Sequence, residues 1–152
     1  MNDTATPIVI LMADDDPDDR ELAQAALRES RLVNQLHFVE DGEQLLAYLR
    51  NQPPYDDVAT HPQPGLILLD LNMPKKDGRE ALADIKADTR LRHIPVIILT
   101  TSRAEEDIFR SYDLGVNSFI SKPVTFDGLV QVMRVLGRYW LEIVELPQAR
   151  DR

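Results

Sequence analysis

Cysteine is absent from this 152-residue chain, which excludes disulfides, thiolate metal sites and cysteine nucleophiles. Histidine is scarce: His37, His61 and His93 lie in unrelated segments, so nothing supports a histidine-based triad or metal centre. Basic charge is short as well, with 17 Lys and Arg against 26 Asp and Glu. The resulting net charge of −9 repels phosphate backbones and anionic lipid surfaces, so neither nucleic acid nor a membrane is expected as a partner. Long hydrophobic runs are missing too. The apolar run near the start, within MNDTATPIVILMADDD, spans about six residues without a basic flank, too short for a signal peptide or a membrane span, and a cytoplasmic location is expected. No Gly-rich phosphate loop follows any apolar run, which disfavours a nucleotide-binding protein.

What is present is an ordinary globular mixture, 43% hydrophobic and 28% charged, in a chain long enough for one core. Short runs rich in Ile, Val and Leu alternate with helical patterns at Ile8–Ala13, Leu36–Val39, Leu66–Asp70, Val96–Thr100 and Asn117–Ser121. Runs without polar alternation suit strands buried on both faces, and intervening helices imply right-handed crossovers to parallel neighbours. The expectation is an α/β fold with five strands and five helices.

Helix starts are marked by local chemistry. Asp16 before Pro17 pairs an N-cap with proline at the first helical position, and Leu22, Ala23, Ala26 and Leu27 then share a face. Asp77 with Glu80, and Ser102 with Glu105, have capping-box spacing ahead of Leu82 and Ile85 and of Ile108 and Tyr112. Gly115 reads as a helix stop, and Leu129, Val132, Met133 and Leu136 fall at i, i+3, i+4, i+7 in the last helix. Residues 1–7 read as an N-terminal arm, 8–138 as the domain, and 139–152 as an apolar tail. The proline-rich stretch 51–65, with Pro53, Pro54, Pro62 and Pro64, is longer than most connections and reads as a tolerated surface insertion.

The chemistry gathers at strand ends. The first strand runs into Asp14-Asp15-Asp16, the third ends in Asp70, and the fourth and fifth run out into Thr100 and Lys122. In an open parallel sheet, ligands bind outside the carboxyl edge at a topological switch point, so Asp14, Asp15 and Asp70 are expected to share a pocket. Carboxylates that close repel, and Lys122 alone does not compensate them. Oxygen ligands without His or Cys point to Mg²⁺. Taken singly, each residue has a plainer reading: an acidic helix start for Asp16, Asp18 and Asp19, a strand-end turn for Lys122-Pro123, a β-branched strand residue for Thr100. Their joint placement on one edge is what points to a site.

These residues resemble the receiver domains of two-component response regulators, over about residues 8 to 138. The motifs are the acidic pair Asp14 and Asp15, the Leu66-Ile-Leu-Leu-Asp70-Leu-Asn-Met-Pro74 segment followed by Lys75-Lys-Asp-Gly78, the hydroxyl of Thr100 and Lys122-Pro123. The resemblance implies a flavodoxin-like sheet of order 2-1-3-4-5. It also implies phosphorylation of Asp70 by a phosphohistidine of a sensor histidine kinase, with Mg²⁺ held by Asp15, Asp70 and the backbone carbonyl of Asn72, and reached by Asp14 through water. Lys122 is implied to bind a phosphoryl oxygen, and Thr100 and Phe119 to act as the switch that alters the face of the fourth helix, fifth strand and fifth helix. Such a protein is no enzyme beyond catalysing its own phosphorylation and dephosphorylation.

Two positions depart from the family pattern. Phe119 stands where tyrosine is frequent, so a hydroxyl-dependent contact is missing, and Ser102 offers neither carboxylate nor amide to a hydrolytic water. The Lys75–Glu80 run, Leu99-Thr-Thr-Ser102 and Tyr139-Trp-Leu-Glu-Ile-Val-Glu-Leu-Pro147 are similar to the small receivers paired with bacterial and cyanobacterial phytochrome kinases. Signal transfer to a separate effector or phosphorelay protein is therefore expected, together with a homodimer built on the apolar tail, the alternative being that the tail folds back on its own domain as an extra core element. An aspartate-nucleophile phosphatase of the haloacid-dehalogenase type is a competing reading, but it commonly needs a second aspartate where Asn72 stands. A degenerate receiver that only binds partners is another, opposed by the filling of every chemical position.

Overall fold

The computed structural model describes residues 8–30, 34–100, 116–121, 127–131 and 134. Strands β1 (Ile8–Ala13), β2 (Asn34–Val39), β3 (Leu66–Asp70), β4 (Val96–Thr100) and β5 (Val116–Ser121) alternate with helices α1 (Pro17–Ser30), α2 (Gly42–Leu49) and α3 (Gly78–Ala87). Residues 127–131 are helical as well. The helix expected after Ser102, the stop at Gly115, the arm 1–7 and the tail 139–152 lie outside the described residues.

The five strands form one parallel sheet in the order β2-β1-β3-β4-β5, the flavodoxin-like order expected from the family resemblance. Every residue of β3 is buried, as its uninterrupted apolar run requires at the centre of a sheet covered on both sides. Alternation along each strand feeds two cores. Leu11, Ala13, Ile67, Leu69, Val96 and Ile98 pack with α2 and α3 residues such as Leu45, Leu49, Leu82 and Ile85. Ile10, Met12, Leu66, Leu68, Ile97 and Leu99 pack with Ala23, Ala26 and Leu27 of α1 and with Leu129 and Val130. The stripe of α1 and Leu129 therefore face one side of the sheet, and Leu82 and Ile85 of α3 the other.

Local caps set where the helices begin. Asp16 Oδ1 accepts from the Asp18 amide at 2.9 Å, ahead of Pro17. Asp77 and Glu80 close the anticipated capping box, with Glu80 N to Asp77 Oδ1 at 3.0 Å and Asp77 N to Glu80 Oε1 at 3.3 Å. The proline-rich connection is largely exposed, yet it is tied down. Tyr48 donates its hydroxyl to the Pro62 carbonyl at 2.9 Å, Gln63 Nε2 donates to the Leu49 carbonyl at 2.8 Å, and Tyr55 packs against the core. Tyr48, Tyr55 and His61 pack their rings at centroid separations of 5.2–5.6 Å, the two tyrosines tilted and each edge-to-face with His61. Among the described residues, no helix is long and apolar enough to cross a membrane.

Candidate functional site

From β1 the chain adds β2 on one side and then crosses back to add β3 on the other, so the direction in which strands are added reverses between β1 and β3. A crevice opens at such a reversal, beyond the carboxyl ends of the two strands. Ala13 lies opposite Leu69 in the register, which sets Asp14 beside Asp70 one step further on. Asp14 is held in place by its amide, which donates to the Val39 carbonyl of β2 at 3.0 Å. The amide following Asp70, that of Leu71, donates to the Leu99 carbonyl of β4 at 3.2 Å.

Asp14 and Asp70 are buried, at 0% and 2% exposure, while Asp15 is exposed at the rim. Each offers one carboxylate oxygen to a group whose members all lie within 4.8 Å of one another. The carboxylates are oriented by their own loops: Asp14 Oδ1 accepts from the Asp16 amide at 2.9 Å, and Asp70 Oδ1 from the Asn72 amide at 3.0 Å. Two buried carboxylates with a third alongside repel one another in a poorly solvated pocket, and a divalent cation relieves both costs. The donors are hard oxygens, which suit Mg²⁺ or Mn²⁺ rather than a soft metal. The residues present fit a divalent metal site.

Glycine lets the chain close behind the site. The Gly78 amide donates to the Leu71 carbonyl at 3.0 Å, and a Cβ there would collide with the Asp70 carbonyl oxygen and lie 2.6 Å from the Leu71 Cα. Of the other residues singled out from sequence, Thr100 ends β4 opposite Ser121, one step beyond the Asp70–Leu99 pair. Phe119 lies in β5 opposite Ile98. Lys122 and Ser102 lie outside the described residues.

Two residues of the site's surroundings escaped the sequence reading. Arg20 on α1 donates from Nη1 to the Asp14 carbonyl at 2.7 Å, with its Nη2 4.0 Å from Glu40 Oε2. No periodicity encodes that contact. Asp41, buried, caps α2 by accepting from the Gln44 amide at 2.8 Å, and its Oδ2 lies 3.9 Å from Lys75 Nζ. Its cap was legible in the Asp41-Gly-Glu-Gln44 spacing, but its reach to the loop after Asp70 was not.

Comparison with known proteins agrees with this geometry. The family model described as response regulator receiver domain matches residues 10–134. Response regulator Rcp1 from Synechocystis sp. is 43% identical over 143 residues, covering 94% of this chain and 95% of its own. The structure of the phosphorylated cyanobacterial phytochrome response regulator RcpA superposes with a TM-score of 0.76 at 43% identity, covering 90% of this chain and 96% of that one. The Mn²⁺-bound form of Rcp1 gives a TM-score of 0.75 at 42% identity, with the same coverage of 90% and 96%. With the sheet order, the acidic group at its switch point and a family match across most of the sequence in agreement, the chain belongs to the response regulator receiver domain family.

Proposed function

We propose that this protein is a response regulator that takes a phosphoryl group from a phosphohistidine of a sensor kinase, of the phytochrome type, onto Asp70. The observation that carries this reading is the convergence of Asp14, Asp15 and Asp70 oxygens within 4.8 Å at the switch point of the sheet. An Asp70 carboxylate oxygen attacks phosphorus, the bond from phosphorus to the histidine nitrogen breaks, and that nitrogen leaves with the electron pair, giving an acyl phosphate. Asp14, Asp15, Asp70 and the Asn72 carbonyl would hold Mg²⁺ here, and the ion would supply charge neutralisation for the transferring group. The phytochrome assignment rests on relatives such as RcpA and Rcp1.

Lys122 binds a phosphoryl oxygen, and Thr100 donates its hydroxyl once that oxygen is in place. Phe119 then fills the space Thr100 vacates, which shifts the face formed by the fourth helix, β5 and the fifth helix toward a separate effector or phosphorelay protein. The receiver spans residues 8–138, and the tail 139–152 builds a homodimer. A cytoplasmic setting suits a kinase partner of this kind. The deciding measurement is intact mass after incubation with a small phosphoryl donor and Mg²⁺. Wild type gains one phosphoryl group only with Mg²⁺, and Asp70→Asn gains none; labelling that persists in Asp70→Asn overturns the assignment.

A further inference from the structure

The loop leaving Asp70 is gripped at its far end by the first turn of α2. We infer that this clip, formed by Asp41 and Gly42 at the start of α2 with the side chain of Lys75 and the backbone of Lys76, positions the Asn72 carbonyl and so sets the affinity of the site for its divalent ion. The inference rests on the function proposed above and names positioning residues for it.

Three observations carry it. The Gly42 amide donates to the Lys76 carbonyl at 2.8 Å. A helix has unpartnered amides in its first turn that ordinarily go to a cap or to water, so α2 does not need the loop in order to form. Secondly, the approach tolerates only glycine: a Cβ at position 42 would overlap the Lys76 carbonyl oxygen and lie 2.9 Å from both the Lys76 carbonyl carbon and Cβ. Thirdly, Lys75 sits at φ 62°, a left-handed conformation unfavourable for a residue with a side chain. Such a conformation persists where surrounding contacts over-determine it. Here the contacts are Gly42 on Lys76, Asp41 Oδ2 at 3.9 Å from Lys75 Nζ, and Asp84 Oδ2 at 2.8 Å from Lys76 Nζ.

The near end of the loop is fixed as well, by Asn72 N on Asp70 Oδ1 at 3.0 Å and Gly78 N on the Leu71 carbonyl at 3.0 Å. Asn72 and Lys76 are separated by Met73, Pro74 and Lys75, and proline stiffens the span. A displaced Lys76 carbonyl is therefore passed back to Asn72 rather than absorbed. Mg²⁺ demands near-ideal octahedral geometry, so a small displacement of one ligand is felt as lost affinity.

The test compares Gly42→Ala and Lys75→Gly with wild type. Mg²⁺ dissociation constants come from titration calorimetry, amide exchange from the metal-free protein, and initial phosphorylation rates from a Mg²⁺ series. Gly42→Ala is expected to weaken Mg²⁺ binding about tenfold, in the range seen when groups supporting a metal ligand are removed. Its Asn72 amide exchanges faster, and its phosphorylation rate recovers at saturating Mg²⁺. Lys75→Gly, which accepts the left-handed conformation and keeps the Gly42–Lys76 bond but loses the contact with Asp41, is expected to weaken Mg²⁺ binding less than Gly42→Ala does. A folded Gly42→Ala protein with wild-type Mg²⁺ affinity overturns the clip while the site stands. Wild type that takes up neither Mg²⁺ nor phosphoryl group overturns both readings. Should Gly42→Ala fail to fold, the wild-type Gly42 amide resonance decides: it shifts with the Mg²⁺ titration if the clip is coupled to the site, and a resonance that stays still overturns the inference.

Discussion

Tyr48 joins a buried ring to one directed hydrogen bond, its hydroxyl reaching the Pro62 carbonyl at 2.9 Å. Burial, reinforced by Tyr55, pushes its pKa up to about 12, so the phenol remains a donor throughout the physiological range. Tyr48→Phe leaves that carbonyl without this donor and is expected to cost about 1 kcal/mol, read as a lower urea midpoint at unchanged slope. Phosphoryl acceptance stays intact, because the 51–65 connection enters β3 at the end opposite Asp70. His37 gives a pH dependence of definite sign. Burial first, and His61 second, lower its pKa below the ordinary 6.5. The unfolded chain thus binds the proton more readily, so stability is complete above pH 6.5 and declines as pH falls from there toward the lowered folded value. Melting temperatures across that window should fall less in His37→Gln, and parallel curves would remove His37 as the cause. Asp15, exposed beside the two buried carboxylates, separates repulsion from metal binding. Asp15→Asn is expected to melt higher than wild type without divalent ion and to gain less from added Mg²⁺, because one like charge and one ligand are gone together.

Among the elements, the box joining Asp77 and Glu80 is the clearest case of sequence dictating a boundary. Asp77→Ala removes the acceptor for the Glu80 amide and should cost about 1 kcal/mol, with hydrogen exchange quickening in the first turn of α3 while α1 is unaffected. The strands were equally legible where burial on both faces forces a continuous apolar run: β1, β3 and β4 keep the bounds read from sequence. β2 instead begins two residues earlier, at Asn34. Polar Asn34 and Gln35 carry no strand signal of their own, and pairing with Ile8 and Val9 supplies it. The acidic trio was legible because strand ends in a parallel sheet have a fixed location. Arg20 on the Asp14 carbonyl and Gly42 on the Lys76 carbonyl were not, since both pair with backbone atoms and leave no mark in composition or period. The proline-rich stretch announced a loop but not its anchorage, which depends on Tyr48 and Gln63 meeting carbonyls fourteen residues away in sequence.

At the scale of the whole molecule, two facts pull against each other in the proposed dimer. Each copy carries a net charge of −9, so two copies repel. Against that, Tyr139, Trp140, Leu141, Ile143, Val144 and Leu146 put six large apolar groups into eight residues of the tail, which lies outside the described residues. An isologous contact buries each such patch against its copy, whereas folding back on its own domain buries it without a partner. The two outcomes differ in how they respond to salt as well as in mass. Screening at an ionic strength of about 1 M shortens the reach of charge to about 3 Å, against about 30 Å at 0.01 M, while apolar burial is kept. A tail-mediated dimer of acidic copies should therefore tighten as salt rises, and a dimer held by ion pairs should loosen. Sedimentation of the full chain beside a chain stopped after Arg138 is expected to give a dimer that strengthens with salt and a monomer, respectively. A full-length protein that stays monomeric at every salt concentration, phosphorylated or not, rules the dimer out and assigns the tail to the protein's own core.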